Sequence, residues 1–324
     1  MNNNPPKKRG SINVPTKEEY LRQRAASGEP ITIKLTNHVA FRKVFKNKHV
    51  LKGFLMALLD MREDDIVSLE VIDPFEDGET TEEKTGILDI KVLLNSGKKI
   101  NLEIQNIYQS DWTERTLFYN CRMFVEGYEH GTQYQNIDPC IHVGILSFNQ
   151  LKSPGFYHNF LLRDEKTGEC YSSKFQFHVI ELKKLEKTPE QEQNNLYRWA
   201  KLIAAEGWED VREAAAGDPY MEEVEKIMIK MSQDERERYL YLRESMAYTD
   251  EVSRLATARS QGLQEGMQLG RAEGMRLGQE EGIRNLIESL HEVNIPPKDI
   301  VHKVMEKYQL PQADAELAVD QYLK

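Results

Sequence analysis

The sequence predicts an α/β protein in which helices flank a mixed β-sheet and an all-α C-terminal region follows. Three observations predict this class. Up to about Ala205, short apolar runs of strand length alternate with longer segments of helical periodicity. One of the runs, Ile141–Phe148, is almost wholly apolar, as expected for a strand that is buried on both faces. From about Ser232 the chain becomes long and charged and has the pattern of an extended helix.

The elements of the predicted sheet domain follow in order along the chain. A helix from about Asn37 to Asp60 carries apolar side chains at helical spacing, and a strand follows over Ile66–Phe75. A β-hairpin comes next. The pattern then predicts a helix over Trp112–His130, an edge strand over Phe175–Leu182 and a helix over Glu192–Ala205.

The predicted hairpin, Ile87–Gln105, carries two acids on its apolar strands. Asp89 lies on the first strand, and Glu103 and Gln105 lie on one face of the second because strand side chains alternate. A three-residue loop over 95–97, with its glycine in the left-handed region, would place Asp89 opposite Glu103. The Cβ atoms of such a pair lie about 4.5–5.5 Å apart.

Two carboxylates at that distance repel each other, and a cation between them would relieve the repulsion. A hard divalent ion with oxygen ligands fits this role. Such an ion would activate a water molecule and neutralise charge on a scissile phosphate. The pattern alone leaves an alternative open, in which the hairpin lies at the surface with its acids on the wet face.

The spacing Asp89-x(13)-Glu103-x-Gln105 resembles that of the PD-(D/E)xK nuclease superfamily. More closely, the chain is similar to the bacterial Rpn family of recombination-promoting nucleases, also called putative transposases. Segments 37–45, 114–119 and 141–148 resemble the opening helix of that family, the helix after its catalytic hairpin and a core strand. The likeness covers about residues 33–210 and implies a restriction-endonuclease-like sheet.

The resemblance also implies roles for individual residues. Asp89, Glu103 and Gln105 match the catalytic positions of the family, and Asp89, Glu103 and the Ile104 carbonyl would hold Mg²⁺ or Mn²⁺. Gln105 is neutral, so it can orient a water or a phosphate but cannot act as a base. His38 stands where the family usually has Asp. Because a neutral imidazole is a poor magnesium ligand, we expect His38 to be a variant ligand or to mark a weakened site.

Positive charge for a phosphate must come from other residues. Lys84, Lys91 and Arg115 are the candidates, and Arg115 could make the stronger, bidentate contact. Tyr119 lies four residues after Arg115, so the two share a helix face and could both contact DNA. For each of these residues a solvated position on the surface is the alternative.

Composition limits the possible functions. The 324 residues are 30% charged and 40% hydrophobic, which is ordinary for a globular protein. The net charge of −10 excludes a uniformly basic coat, so any contact with DNA must be local. The three cysteines are widely spaced, which argues against a zinc site and fits a reducing cytoplasm. No apolar run approaches the length of a membrane span, and no apolar signal core opens the chain.

These patterns predict four regions. Residues 1–32 are polar and are expected to form a flexible arm, and residues 33–231 form the nuclease-like domain. Residues 232–285 form a long charged helix, and residues 286–324 form a small helical module. We expect the protein to be cytoplasmic and not to associate with membranes.

The long helix contains glycine at 262, 266, 270, 274, 278 and 282, a strict period of four. Each glycine inside a helix costs about 0.8–1.0 kcal/mol relative to alanine. The series therefore indicates a compensating contact, which could be self-association into a homo-oligomer or docking within the chain. A flexible charged connector is the alternative.

The sequence therefore predicts a metal-dependent DNA endonuclease of the recombination-promoting, transposase-like type. The alternative is a nuclease-fold protein with a weakened or inactive site that acts in DNA binding or oligomerisation. His38 and the negative net charge favour that alternative.

Overall fold

Strands from the first two thirds of the chain form one mixed sheet in the computed structural model, which describes residues 15–72, 90–126 and 133–323. The six strands in these ranges are β1 (Leu69–Ile72), β2 (Ile90–Leu94), β3 (Lys99–Gln105), β4 (Cys140–Leu146), β5 (Tyr157–Arg163) and β6 (Cys170–Glu181). Their order in the sheet is β1-β2-β3-β4-β6-β5. β4 pairs in parallel with β3 and with β6, and the other neighbours are antiparallel. This sheet confirms the predicted α/β class.

The hairpin of β2 and β3 has the predicted loop. Ile90 pairs with Leu102, and the loop residue Gly97 has a φ of +80°. A Cβ atom at Gly97 would also lie 2.1 Å from Asp138 Oδ1, so only glycine fits this turn. The described pairs have the register that an Asp89–Glu103 pair requires, although Asp89 itself lies outside the described residues.

Helices surround this sheet and continue to the C-terminus. Those before residue 234 are α1 (Lys17–Ala26), α2 (His38–Phe45), α3 (Lys48–Leu59), α4 (Trp112–Val125), α5 (Asn195–Ala204), α6 (Trp208–Ala215) and α7 (Pro219–Gln233). They are followed by α8 (Glu235–Glu292), α9 (Pro297–Tyr308) and α10 (Gln312–Tyr322). Residue contacts divide the chain into two units, Met1–Thr249 and Asp250–Lys324. The predicted boundaries of the four regions stay predictions.

The main hydrophobic core lies on one face of the sheet. Alternate residues of β3 and β4, such as Leu102 and Val143, are fully buried there against α2, α3 and α5. Aromatic rings fill the space between these helices: Phe54 meets Phe45 and Trp199 edge-on, with centroids 5.2 and 5.7 Å away. Helix α4 covers the opposite face, so each strand of the hairpin presents one face to the core and one face towards α4.

The predicted helix over Asn37–Asp60 is two helices, α2 and α3. The side chain of Asn47 accepts hydrogen bonds from the backbone N–H groups of His49 and Val50, and so caps α3. The apolar periodicity continues through the break, which is why the pattern predicts a single helix.

The prediction that Phe175–Leu182 forms an edge strand is wrong. This segment belongs mainly to β6, which lies between β4 and β5. The edge strand is β5, whose residues are exposed or half-buried. β5 was not predicted, because an edge strand that buries few side chains has a weak apolar pattern.

The N-terminal region contains more structure than a flexible arm. Thr16 and Glu19 form a capping box at the start of α1, and Leu21 is buried. Arg238 of α8 donates hydrogen bonds to the backbone carbonyls of Ala25 and Glu29. The described part of the predicted arm is therefore fixed by contacts within the first unit. Residues 1–14 lie outside the described ranges.

In its described residues, the second unit consists of helices and the short segments that join them. The end of α8 packs with α9 and α10 around Ile287, Ile300 and Val304. The predicted helices over Pro297–Tyr308 and Gln312–Leu323 are confirmed, and the one predicted over Ile283–Val293 is the last part of α8. Within the described ranges, no helix is long and apolar enough to cross a membrane.

The glycine repeat is helical over its whole length, because it lies inside α8. A Cβ atom added at any glycine from position 262 to 278 would meet nothing within 4 Å, whereas one at Gly282 would lie 2.7 Å from Tyr308 Oη. Apart from Gly282, the repeat thus has no close packing partner in the described part of the chain.

Candidate active site

One face of β3 carries the polar residues of the site. Ile100, Leu102 and Ile104 point into the main core, so Asn101, Glu103 and Gln105 point towards α4. Glu103 is buried, with 8% of its surface exposed. A buried carboxylate at this depth needs a counter-charge or hydrogen-bond donors.

Arg115 of α4 supplies that charge. Its Nη2 atom donates to Glu103 Oε1 at 2.5 Å and to Gln105 Oε1 at 3.3 Å. The amide of Gln105 is fixed in turn, because its Nε2 atom donates to the Ile107 carbonyl at 3.0 Å. The side chain of Arg115 is 23% exposed, so it is not sealed from solvent. Three residues predicted from the sequence therefore meet at the carboxyl end of β3.

A glycine in β4 lets α4 approach the sheet at this point. Gly144 pairs with Glu103 in the parallel register, and a Cβ atom on it would lie 2.5 Å from Cζ2 of the buried Trp112. Trp112 is the first residue of α4 and Arg115 is the fourth. The contact between Trp112 and Gly144 therefore helps to set the position of Arg115 over Glu103.

A buried polar cluster lies beside this ion pair. Asn101 Nδ2 is 3.0 Å from His142 Nδ1, and both residues are about 1% exposed. Burial, helped by the nearby charge of Arg115, lowers the pKa of His142 from 6.5 to about 3, so the ring is neutral at physiological pH. Within the described ranges, six buried side-chain atoms have no hydrogen-bond partner. Four belong here: Asn101 Oδ1, Trp112 Nε1, Arg115 Nε and His142 Nε2.

The sequence pattern did not indicate a role for Asn101 or His142. Each is a polar residue inside an apolar run, which was the available signal. Native proteins pair almost all of their buried polar atoms, so a concentration of unpaired ones beside an ion pair points to a functional site.

The other predicted residues occupy separate positions. His38 opens α2, and Thr36, two residues earlier, accepts a hydrogen bond from Asn106 Nδ2 at 2.5 Å. This bond holds the chain before α2 at the carboxyl end of β3. Tyr119 lies one turn beyond Arg115 and meets Phe118 edge-on at 5.4 Å. Ligand or DNA-binding roles for His38 and Tyr119 stay predictions.

Of the predicted lysines, Lys91 lies within the described residues and has a partner other than Glu103. The ammonium of Lys91 pairs with Glu126, which directly follows the last residue of α4. Arg115 lies in the first turn of the same helix, far from this pair. Asp89 and Lys84 lie outside the described residues.

The donor atoms at the carboxyl end of β3 are all oxygens: the Glu103 carboxylate, the Gln105 amide oxygen and the Ile104 carbonyl. Oxygen donors suit Mg²⁺ and Mn²⁺, so the chemistry of the site fits a hard divalent cation. Within the described ranges, no three His, Cys, Asp or Glu residues lie close enough together to hold a metal ion. The predicted ligand set therefore depends on Asp89.

The mixed sheet, its acid-bearing hairpin and the helix that covers it define a nuclease-type α/β fold of the restriction-endonuclease kind. A family model described as PD-(D/E)XK nuclease family transposase matches residues 35–258. The chain belongs to this family, which confirms the resemblance seen in the hairpin and its flanking segments. Searches of curated proteins and of solved structures gave no match.

Proposed function

We propose that the protein is a metal-dependent endonuclease that hydrolyses phosphodiester bonds in DNA. One observation carries the proposal: Glu103 is buried at the end of β3 and is held by Arg115 together with Gln105. These are an acid, a cation and an orienting amide, which phosphodiester hydrolysis needs in one place. Membership of a PD-(D/E)XK nuclease family supports the same chemistry.

The residues have distinct roles in this proposal. Glu103, Asp89 and the Ile104 carbonyl hold Mg²⁺ or Mn²⁺, which when bound supplies Lewis acidity and positive charge. Gln105 orients the attacking water or a phosphate oxygen through its side-chain amide. Arg115 contacts the scissile phosphate through its guanidinium.

Contact with DNA is proposed to be local. Arg115 and Tyr119 line one side of α4, and Lys84 and Lys91 are further candidates for phosphate contacts. Local contact agrees with the net charge of −10, which opposes a broad electrostatic footprint. Action in the cytoplasm is also proposed, and the free cysteines Cys121, Cys140 and Cys170 support a reducing compartment.

A second candidate is a DNA-binding protein on a nuclease fold that cleaves weakly or not at all. His38 favours it, because an imidazole replaces the acid usual at this position and is a poor ligand for magnesium. His38→Asp should raise cleavage if this substitution limits the site.

A plasmid assay separates the two candidates. The purified protein is incubated with supercoiled plasmid and Mg²⁺, Mn²⁺ or Ca²⁺, beside the Asp89→Ala and Glu103→Ala variants. Glu114→Gln, an exposed acid on α4, is the matched control. We expect the wild type and the control to nick the plasmid with Mg²⁺ or Mn²⁺, and both alanine variants to lose detectable cleavage. Equal cleavage by all proteins, or none by the wild type with any metal, would contradict the enzyme proposal.

We also propose that the chain forms homodimers through α8. Every third or fourth residue between 253 and 277 is small or apolar, a row called here the α8 seam: Ser253, Ala256, Ser260, Leu263, Met267, Gly270, Gly274 and Leu277. All charged residues between 250 and 281 lie off this row. The spacing is that of a coiled-coil interface, and glycine allows two helices to approach closely. Leu263 and Met267 are 66% and 68% exposed.

Light scattering tests the α8 seam. A chain that ends before Gly262 should have the mass of one copy. In the full chain, Leu263→Glu combined with Met267→Glu should have the same effect. Leu269→Glu, equally exposed but off the seam, should leave the dimer intact. A wild type that is monomeric at all concentrations, or equal effects of the on-seam and off-seam changes, would refute the dimer.

A further inference from the structure

We propose that Arg115 is the resident counter-ion of Glu103 in the metal-free protein and competes with the divalent cation for the Glu103 carboxylate. Metal binding would then release the guanidinium from Glu103 and leave it available to a phosphate. This inference rests on the proposed nuclease function and adds a control of metal affinity to the same site.

The contact geometry supports direct competition. Arg115 Nη2 lies 2.5 Å from Glu103 Oε1 and also contacts Gln105 Oε1. A divalent ion bound to Glu103 Oε1 would lie about 2 Å from the oxygen that already accepts the hydrogen bond from this guanidinium nitrogen. Two cations at such a distance also repel each other strongly in a partly buried site. The arginine and the metal therefore compete for the charge of the same carboxylate.

Few hydrogen bonds hold the guanidinium of Arg115 in its place at Glu103. Both of its hydrogen bonds within the described residues use Nη2, and its buried Nε atom has no partner. The nearby cluster of Asn101 and His142 offers Arg115 no second counter-charge, because neither an amide nor an imidazole carries negative charge. The side chain of Arg115 is 23% exposed, so it is accessible from solvent, and a guanidinium can bind a phosphate through two parallel hydrogen bonds.

Metal affinity and stability should respond together when Arg115 loses its charge. Arg115→Gln removes the competitor, so Mn²⁺ should bind more tightly. The same change leaves the buried Glu103 without this counter-ion, so the metal-free protein should be less stable. Added Mn²⁺ should restore that stability. If Arg115 only packed α4 against the sheet, the loss of stability would persist in saturating Mn²⁺.

The test measures Mn²⁺ binding by titration calorimetry and the thermal unfolding midpoint with and without Mn²⁺. We expect Arg115→Gln to bind Mn²⁺ roughly tenfold more tightly than the wild type, within the usual range of coupling between two ligands. Its midpoint should be lower than that of the wild type without metal and should rise more when Mn²⁺ is added. Arg122→Gln, two turns along α4, should match the wild type. Glu103→Gln should abolish Mn²⁺ binding in both the wild-type and the Arg115→Gln background.

Arg115→Lys provides a second variant if Arg115→Gln does not fold. It keeps the positive charge, so its Mn²⁺ affinity should stay near that of the wild type. Equal or weaker Mn²⁺ binding by Arg115→Gln, or tenfold tighter binding by Arg115→Lys, would overturn the competition. The plasmid assay keeps the two proposals apart. Tighter Mn²⁺ binding without cleavage would retain the competition and reject the nuclease. Cleavage by the wild type, together with an Mn²⁺ affinity that Arg115→Gln leaves unchanged, would retain the nuclease and reject the competition.

Discussion

Two buried acid–base pairs lie at the carboxyl ends of strands in the same sheet, and they are built differently. At the end of β6, Glu181 is fully buried and pairs with Lys184. Its Oε1 atom also accepts hydrogen bonds from the backbone N–H groups of Gln150 and Leu151, at 2.6 and 3.0 Å. The ammonium of Lys184 donates to the carbonyls of Leu151 and Ser153 as well. All three ammonium protons therefore have an acceptor, and the pair fixes the loop after β4.

At the end of β3, the pair of Glu103 and Arg115 is less complete. Arg115 leaves a buried Nε atom without a partner, and 23% of its side chain is exposed. Asn101 and His142, close by, add further unpaired atoms. A pair whose hydrogen-bonding groups all have partners loses hydrogen bonds when a ligand displaces one of them. A pair with unsatisfied groups can exchange partners with a smaller loss of free energy. The contrast favours a structural role for the first pair and supports the proposal that the second pair is functional.

Breaking the pair of Glu181 and Lys184 should have the largest effect on stability. Glu181→Gln leaves the buried ammonium of Lys184 without its counter-charge, which should lower the free energy of unfolding by about 3–5 kcal/mol. Urea denaturation measures the change, with Glu186→Gln, an exposed neighbour, as the control. Added Mn²⁺ should not restore the loss. If Mn²⁺ restored the stability of Glu181→Gln, the metal would bind near Lys184, and the proposed difference between the two ion pairs would be wrong.

Gly144 tests how precisely α4 is placed over the second pair. Gly144→Ala would put a Cβ atom 2.5 Å from Cζ2 of the buried Trp112, so we expect a loss of about 1–3 kcal/mol from overpacking. Plasmid cleavage should also fall, because the displaced helix carries Arg115. Gly155→Ala is the control, since its nearest neighbouring atom would be 3.6 Å away. Equal effects of the two substitutions in urea denaturation would count against this account of helix placement.

His142 should make stability depend on pH. Its pKa is about 3 in the folded protein and about 6.5 when exposed, so below pH 6.5 the unfolded chain binds a proton that the folded chain does not. The contribution of His142 to stability is thus fully present above pH 6.5 and is lost as the pH drops towards 3, by about 1 kcal/mol between pH 6 and pH 5.

Urea denaturation over this range, repeated for His142→Gln, isolates the contribution of His142. The variant should lose less stability than the wild type, and His302→Gln, an exposed histidine of the second unit, should behave as the wild type. Curves that run parallel for the wild type and His142→Gln would show that this buried ring does not couple to folding.

The features that were predicted correctly depend on local sequence. The hairpin loop follows from one glycine between two alternating strands, and Gly97 indeed has a positive φ. The apolar run at β4 predicts burial on both faces, and every residue of Cys140–Leu146 is buried. Arg115 was a candidate because it lies on the helix after the hairpin. Its partner could not be predicted, because that contact depends on how α4 crosses β3.

The features that were missed depend on tertiary structure. β5 has no strong apolar pattern, because an edge strand buries few side chains. Asn101 and His142 are separated by about forty residues and meet only because β3 and β4 pair in parallel, with these two residues opposite each other. The break at Asn47 depends on a side-chain cap inside a continuous apolar pattern.

The most direct test of the site is to locate the metal itself. Crystals of the protein soaked in Mn²⁺ should give an anomalous difference peak in contact with the Glu103 carboxylate and the Ile104 carbonyl. The guanidinium of Arg115 should have moved away from Glu103 in the same crystal. An anomalous peak elsewhere on the protein, or no peak while Arg115 stays on Glu103 in saturating Mn²⁺, would contradict a metal-dependent nuclease centre at this end of β3.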